Sequence, residues 1–515
     1  MSGDAPQARL INWWPLPLVV LVSVGLCLPF LRIITSMGDE GQLLNGAERM
    51  LRGDRLYADF FEFLPPGGFL LTELWLRVAG LSMLAARSLA IITIAGIACF
   101  TFLACRRVSR NTPFSAFLTI GWAMSSQGGW TQLNHHWITT MFSMAGMWAA
   151  LVYAGDADRR WRWPVIAGAA SGAASMVTPT CGALATLAAL TVFLPMRQHR
   201  AALITYVLAC ALVPVTLLLY LAWHHSLVAA FDDVILWTAT HYAPIQGLPY
   251  GHGANERNAE LLFVFPLAAV FVLAVFVRDR HARRQDHFLA PGVAFGLAGF
   301  VACYPRADID HISFEIPLAC PLLAWCVVRL IETWCAAYRA AAFGAVAALL
   351  TRKLPLVFLT AQFVWGLEIS PTPRGRLAFF GLDGAPQMLA RIAALPPGDG
   401  WFFYSYIPMM PFLSGRKHVS KYDILVPGYS LPSQYQEACE SVMRHADWVV
   451  IDRRGTNPAE LKSKYPMMQD PQPPETKAFE QTLDRNFEFV ARDGIYELRH
   501  RRNGIDDTVC AGVAG

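Results

Sequence analysis

Apolar segments of about 15–22 residues recur through the first 370 positions of this chain, and only helices in a lipid solvent accommodate so many of them. They fall at 13–35, 84–105, 113–127, 136–154, 164–178, 181–196, 201–222, 261–277, 288–304, 316–332 and 341–367, eleven in all. Those at 113–127, 164–178 and 181–196 are short, and Thr351-Arg352-Lys353 interrupts the last. Composition agrees: 16% of residues are charged, against about 25% in soluble domains. The first segment is longer than the core of a signal peptide and lacks a small-residue cleavage site, so it is expected to stay as a span.

A net charge of +4 is too small to suggest nucleic acid, but its distribution is informative. Arg106, Arg107 and Arg110 follow the second span, and Arg159, Arg160 and Arg162 the fourth. Arg197 and Arg200 follow the sixth; Arg278, Arg280, Arg283 and Arg284 follow the eighth. The positive-inside rule makes these alternate connections, and the N-terminus, cytoplasmic. The opposite connections, 36–83, 128–135, 223–260 and 305–315, are less basic and rich in His, Asp, Asn and aromatic residues.

Past residue 370 the pattern changes. Strand-like runs at 400–407, 448–451 and 487–498 and a helix-like run at 386–394 are separated by turn signals. The expectation is a polytopic α-helical membrane domain over 1–370, carrying a first external loop at 36–83. An external, periplasmic α/β domain over 371–515 follows it, the whole lying in a bacterial inner membrane. Most of the 11 cysteines sit in apolar runs, where a thiol behaves as a small hydrophobe. Cys439 and Cys510 lie in the polar C-terminal part and could pair.

The first external loop carries the chemistry. Residues 38–70 read GDEGQLLNGAERMLRGDRLYADFFEFLPPGGFL. Leu43, Leu44, Ala47, Met50 and Leu51 recur at helical spacing, with Gln42, Asn45, Glu48, Arg49 and Arg52 on the other side, so this helix is expected to lie along the membrane interface. Gly53 suits its C-terminal stop, and Pro65-Pro66 opens a second short helix near 67–80 in which Glu73 and Arg77 can pair. Asp39 and Glu40 stand at the mouth of the first span, where ionisable groups are costly unless they serve something. Asp39 with Gln42 three residues on also reads as a capping box, and the two roles are compatible.

An acidic pair after the first span, an amphipathic helix ending G-D-x-L-Y-x-D and a Pro-Pro pair opening the next helix together resemble the GT-C glycosyltransferase superfamily. Its members include the protein O-mannosyltransferases and the bacterial lipid A aminoarabinose transferases. The matching residues are Asp39, Glu40, Gly53, Asp54, Leu56, Tyr57, Asp59, Pro65 and Pro66, with Arg87 opening the second span. The resemblance implies inverting transfer of a sugar from a polyprenyl-phosphate donor to a glycan, lipid or protein acceptor. It implies Asp39 as general base, Glu40 as a neighbour shaping the site, and Tyr57 among the substrate-binding residues. No nucleotide and no certain cofactor is involved, and a divalent metal stays open.

A lipid-phosphate leaving group calls for cations. Arg87 is one candidate, and also reads as a snorkelling interface arginine. The loop YPRADIDHISFE offers Arg306, Asp308, Asp310 and His311, which could hold phosphate and orient sugar or metal; a plain Arg306–Asp308 salt bridge is the alternative. His135 and His136, after Asn134, could bind the sugar or act as interfacial anchors. Tyr404, Tyr406, Tyr422 and Tyr429 suit carbohydrate stacking, though some must be core. A lipid or glycan transporter and a non-catalytic GT-C-like scaffold are the rival functions. Polar groups gathered at one face, with no inverted repeat, speak against the first.

Overall fold

Long segments without a polar face become helices because a backbone in hydrocarbon must satisfy its own hydrogen bonds. The computed structural model describes residues 15–127, 131–156, 160–194, 200–278, 287–332, 334–398, 400–503, 510 and 513. Arg159, Arg197, Arg280, Arg283 and Arg284, used above for orientation, lie outside them. A helix overlaps every expected segment, from Pro15–Gly25 to Ala336–Trp365. Among the described residues five helices are long and apolar enough to cross a membrane: Met83–Ser109, His135–Ala154, Arg200–Trp223, Ala259–Arg278 and Ile309–Ile331. Arg200–Trp223 has a mean hydropathy of 2.4, yet it leaves Leu208, Leu212 and Leu219 bare. Such a surface is stable only against lipid, and the chain is an integral membrane protein.

One helix boundary departs from expectation in a way that matters. The helix expected from 316 begins at Ile309, capped by the Asp308 side chain, which accepts from the His311 backbone N–H at 3.0 Å. Asp310, His311 and Glu315 therefore sit on its first two turns and not in a loop. Hydropathy misses these turns because their polar residues face protein instead of lipid.

Among the described residues nine strands form three sheets. β1 (Ile33–Ile34) runs parallel to β5 (Gly375–Phe379), which pairs antiparallel with β4 (Ile369–Thr372). β2 (Leu248–His252) pairs with β3 (Arg306–Asp308). The third sheet has the order β6 (Trp401–Tyr404), β7 (Trp448–Asp452), β9 (Tyr496–Arg501), β8 (Phe487–Asp493). The helix Pro432–His445 lies between the parallel β6 and β7. The run expected over 487–498 folds back on itself as the β8–β9 hairpin. Gly494 takes φ +56° there, and a Cβ on it would stand 2.2 Å from the Asp383 carbonyl oxygen.

Packing crosses the change of composition at 370. Ile34, Leu43, Leu44 and Ala47 share one apolar core with Met388, Leu389, Phe403, Met409 and Val450. The helix Asp39–Leu51 is clamped between the bundle and the C-terminal part. Its polar side is buried too: Gln42, Asn45, Glu48 and Arg49 are each under 9% exposed. Arg49 donates to Asp423 and to the Ser420 carbonyl, both at 3.0 Å, and Glu48 pairs with Arg374. The interfacial placement expected above is corrected accordingly. Amphipathic spacing does not distinguish water from a protein surface carrying matching charges. Gly41 is required for the close approach, since a Cβ would meet the Met409 backbone nitrogen at 2.1 Å.

Cys439 and Cys510 form a disulfide that closes a separation of 71 residues. Cys439→Ser is expected to destabilise the C-terminal part by about 2–5 kcal/mol. Denaturant unfolding followed by the fluorescence of Trp401 and Trp448 checks this, with reductant lowering the wild type to the same level.

Candidate active site

Asp39 and Glu40 are neighbours with opposite environments. Both occupy the first turn of the helix Asp39–Leu51, where the unpaired amides favour negative charge. The cap itself is Gly38, and no side chain caps the helix. The Asp39 carboxylate is exposed, and its Oδ1 accepts from the Tyr406 hydroxyl at 3.0 Å. The capping-box reading of Asp39 thus gives way to a carboxylate directed at a tyrosine of the C-terminal part. Glu40 is 1% exposed. It pairs with Arg87 at 2.8 Å and accepts the Leu133 N–H at 2.7 Å.

Asp39 opens onto two cavities. One, of about 300 Å³, includes Ser36, Ser405, Asp452, Arg454, Lys464 and Tyr465 in its wall. The other, of about 290 Å³, brings Asp39 together with His135, His136, Arg306, Asp308, Asp310, His311 and Lys464. Tyr242, Tyr406, Tyr429 and Tyr465 give that second cavity an aromatic rim.

Most of the expected site residues therefore meet, from Asp39 to His311, 272 positions apart in sequence. Three do not line either cavity: Glu40, Arg87 and Tyr57. Arg87 is 2% exposed and spends its guanidinium on Glu40 and on the Ile33 carbonyl at 2.8 Å. It is not available to a phosphate in the cavity. Tyr57 is fully buried and donates to the Leu64 carbonyl at 2.7 Å. Asp54 pairs with Arg49, and Asp59 with Arg55. The G-D-x-L-Y-x-D segment is spent on shaping its own loop.

Arg306 and Asp308 pair at 2.9 Å, so the plain salt-bridge reading is also present, and it sits in the cavity wall. Arg306 further donates to Gln246 at 2.7 Å. The Asp308 carboxylate takes His311 Nδ1 at 2.7 Å. Burial works against its ionisation, but the His311 hydrogen bonds and Arg306 outweigh it and hold the carboxyl below its usual value. Burial pushes the Tyr406 hydroxyl well up, and the Asp39 carboxylate adds to this, so the phenol stays a proton donor to Asp39. Of the four tyrosines expected to stack on sugar, Tyr406 and Tyr429 line the cavity. Tyr404 and Tyr422 are core residues bonded to Glu480 and Glu437. Lys464, Tyr465 and Gln246 carried no signal in the sequence, while Tyr242 belongs to the polar external loop 223–260; only folding brings them here.

A second acidic group lies behind this wall. Gln42 donates to Glu62 at 2.5 Å, and burial pushes the Glu62 carboxyl well above its usual value. Asp233, nearby on the helical segment Asp232–Tyr242, is pushed by burial to about 7, with Lys421 opposing and Asp232 and Glu437 assisting. A carboxyl raised in the folded state binds its proton more tightly there than in the unfolded chain. Its stabilising effect is complete below the unfolded value of 3.8 and is lost as pH rises to about 7. Asp233→Asn is expected to flatten this fall and to raise the thermal midpoint at pH 8. Melting curves from pH 5 to 8 measure it.

No protein-family model matches the chain, and no curated protein sequence matches it significantly. Solved structures do. ArnT from Cupriavidus metallidurans bound to undecaprenyl phosphate aligns over 96% of this chain and 99% of its own, at 16% identity and a TM-score of 0.55. The Archaeoglobus fulgidus oligosaccharyltransferase, tethered to an acceptor peptide, aligns over 96% of this chain and 75% of its own at 10% identity, with a TM-score of 0.52. The arabinofuranosyltransferase AftD from Mycobacteria aligns over 96% of this chain and 40% of its own, at 14% identity and a TM-score of 0.50. The chain has the fold of the GT-C superfamily.

Proposed function

We propose that the chain is an inverting glycosyltransferase that takes a sugar from a polyprenyl-phosphate donor. Asp39 accepts the proton of an acceptor hydroxyl, and the oxygen forms a bond to C1 of the sugar. The C1–O bond to phosphate breaks, and the lipid phosphate leaves. Arg306 and Lys464, the cations lining the cavity of Asp39, meet the negative charge that develops on the leaving group. The observation that carries this reading is an exposed carboxylate that shares one cavity with those cations. His135, His311 and the tyrosine rim suit a sugar; Glu40 and Arg87 position the loop from behind.

The ligand of the ArnT structure, undecaprenyl phosphate, supports this donor class. The Cys439–Cys510 disulfide supports an oxidising, non-cytoplasmic compartment for the C-terminal domain, which agrees with the basic clusters at the opposite ends of the spans. The reading places eleven spans in a bacterial inner membrane, with residues 371–515 as a periplasmic domain. Transfer from labelled polyprenyl-phosphate sugars to a membrane glycan extract tests it, with Asp39→Asn and Asp310→Asn beside the wild type. Loss in Asp39→Asn alone supports Asp39 as the base. Loss only in Asp310→Asn moves the base to Asp310. No transfer by the wild type favours the scaffold or transporter readings.

A further inference from the structure

At the wall of the Asp39 cavity that His136 lines, three side chains from three helices converge. His136 comes from the first turn of His135–Ala154, Cys181 from Pro179–Phe193 and Glu315 from Ile309–Ile331. A ring nitrogen, the Sγ and a carboxylate oxygen all lie within 4.8 Å of one another. Cys181 and Glu315 are each 3% exposed. Within the cluster Cys181 and Glu315 are hydrogen-bonded to each other, and the Cys181 thiol also reaches the Ala302 carbonyl and the Thr180 hydroxyl at 3.8 Å. Among the described residues no lysine or arginine forms an ion pair with Glu315. A carboxylate with no cationic partner in the interior of a membrane bundle is costly in its charged form, and a metal ion would supply that partner.

We propose that His136, Cys181 and Glu315 form a site for one divalent transition metal of the zinc class. The donor set decides the class. Nitrogen and sulfur ligands suit zinc, whereas calcium and magnesium take oxygen alone. Charge supports it as well: one thiolate and one carboxylate cancel a dication, leaving a neutral unit in a medium that penalises net charge. Binding displaces the thiol proton to solvent.

Bonds of about 2.0–2.3 Å place tetrahedral ligands roughly 3.3–3.8 Å apart, so the observed spread closes with side-chain movement of about 1 Å. The helices are already held for this. The His136 ring stacks on Phe314 at 4.8 Å and 7°, and Thr140 donates to the Phe314 carbonyl at 2.8 Å. Thr139 donates to Thr178 at 2.8 Å, just ahead of the helix that carries Cys181. The metal thus bolts three helices together at the cavity wall, with a fourth coordination position left for water. This site stands on its own donor atoms and does not depend on the transferase reading.

The chain, purified in detergent without a histidine tag, is incubated with zinc, freed of excess by gel filtration and analysed by mass spectrometry for metal. About one zinc per chain is expected. Cys181→Ser and Glu315→Gln are each expected to bind at least about tenfold more weakly while remaining monodisperse. Wild type that retains no zinc, or zinc retention unchanged by both substitutions, overturns the proposal. Should either variant fail to fold, cobalt bound to the wild type decides. A thiolate-to-cobalt charge-transfer band supports the site, and bound cobalt without that band overturns it.

Discussion

Asp39→Asn is expected to lower sugar transfer by about 10²–10⁴-fold, the usual contribution of a positioned general base, while leaving the protein folded. The geometry separates these two effects. Asp39 is exposed, and its recorded side-chain partner is Tyr406, whose hydroxyl donates to Oδ1. The amide oxygen of asparagine accepts the same hydrogen bond, so neither packing nor pairing is lost. Surface changes of this kind stay within about 0.5 kcal/mol. What disappears is the acceptor of the substrate proton. The loss should therefore fall on kcat, with KM for the donor little changed. Circular dichroism and thermal melting of the purified variant, measured beside transfer from a labelled donor, check both halves. Full activity with Asn at 39 sinks the assignment.

The distinction between Asp39 and Glu40 was only half legible in the sequence. Order along the chain marked the pair, and the resemblance ranked Asp39 first. Nothing in the spacing said that Glu40 turns inward to meet an arginine 47 positions away. Tyr57 shows the same limit. The resemblance implies a substrate contact there, whereas the buried ring donates its hydroxyl to the Leu64 carbonyl. The membrane helices were legible because lipid imposes one solution on a long apolar run. The start of the helix Ile309–Ile331 was not, since Asp310 and His311 line the cavity and Glu315 meets other helices, none of them facing lipid. The same blind spot hid the His136–Cys181–Glu315 cluster, whose members come from three separate segments. Lys464 and Tyr465 were invisible for a related reason: they reach the cavity only because the C-terminal part shares a core with the first loop.

Removal of Arg87 gives the other large effect, and it is structural. The Arg87–Glu40 pair is almost fully buried, with side chains 3% and 1% exposed. Removing one partner of such a pair leaves a charge without compensation, which costs about 3–5 kcal/mol. Arg87→Met is therefore expected to lower the thermal midpoint sharply and to reduce activity with it. Glu40 also accepts the Leu133 N–H, two residues before His135, so a disturbed Glu40 loosens one wall of the cavity as well as the Asp39 turn. The double variant Glu40→Gln with Arg87→Met removes both charges. It is expected to recover part of the stability lost in Arg87→Met, which gives a favourable coupling in a double-mutant cycle. A phosphate-binding arginine would behave differently: its loss would raise KM for the donor in a protein of unchanged stability. Additive losses in the cycle, or an Arg87→Met protein that melts like the wild type, would return Arg87 to the substrate.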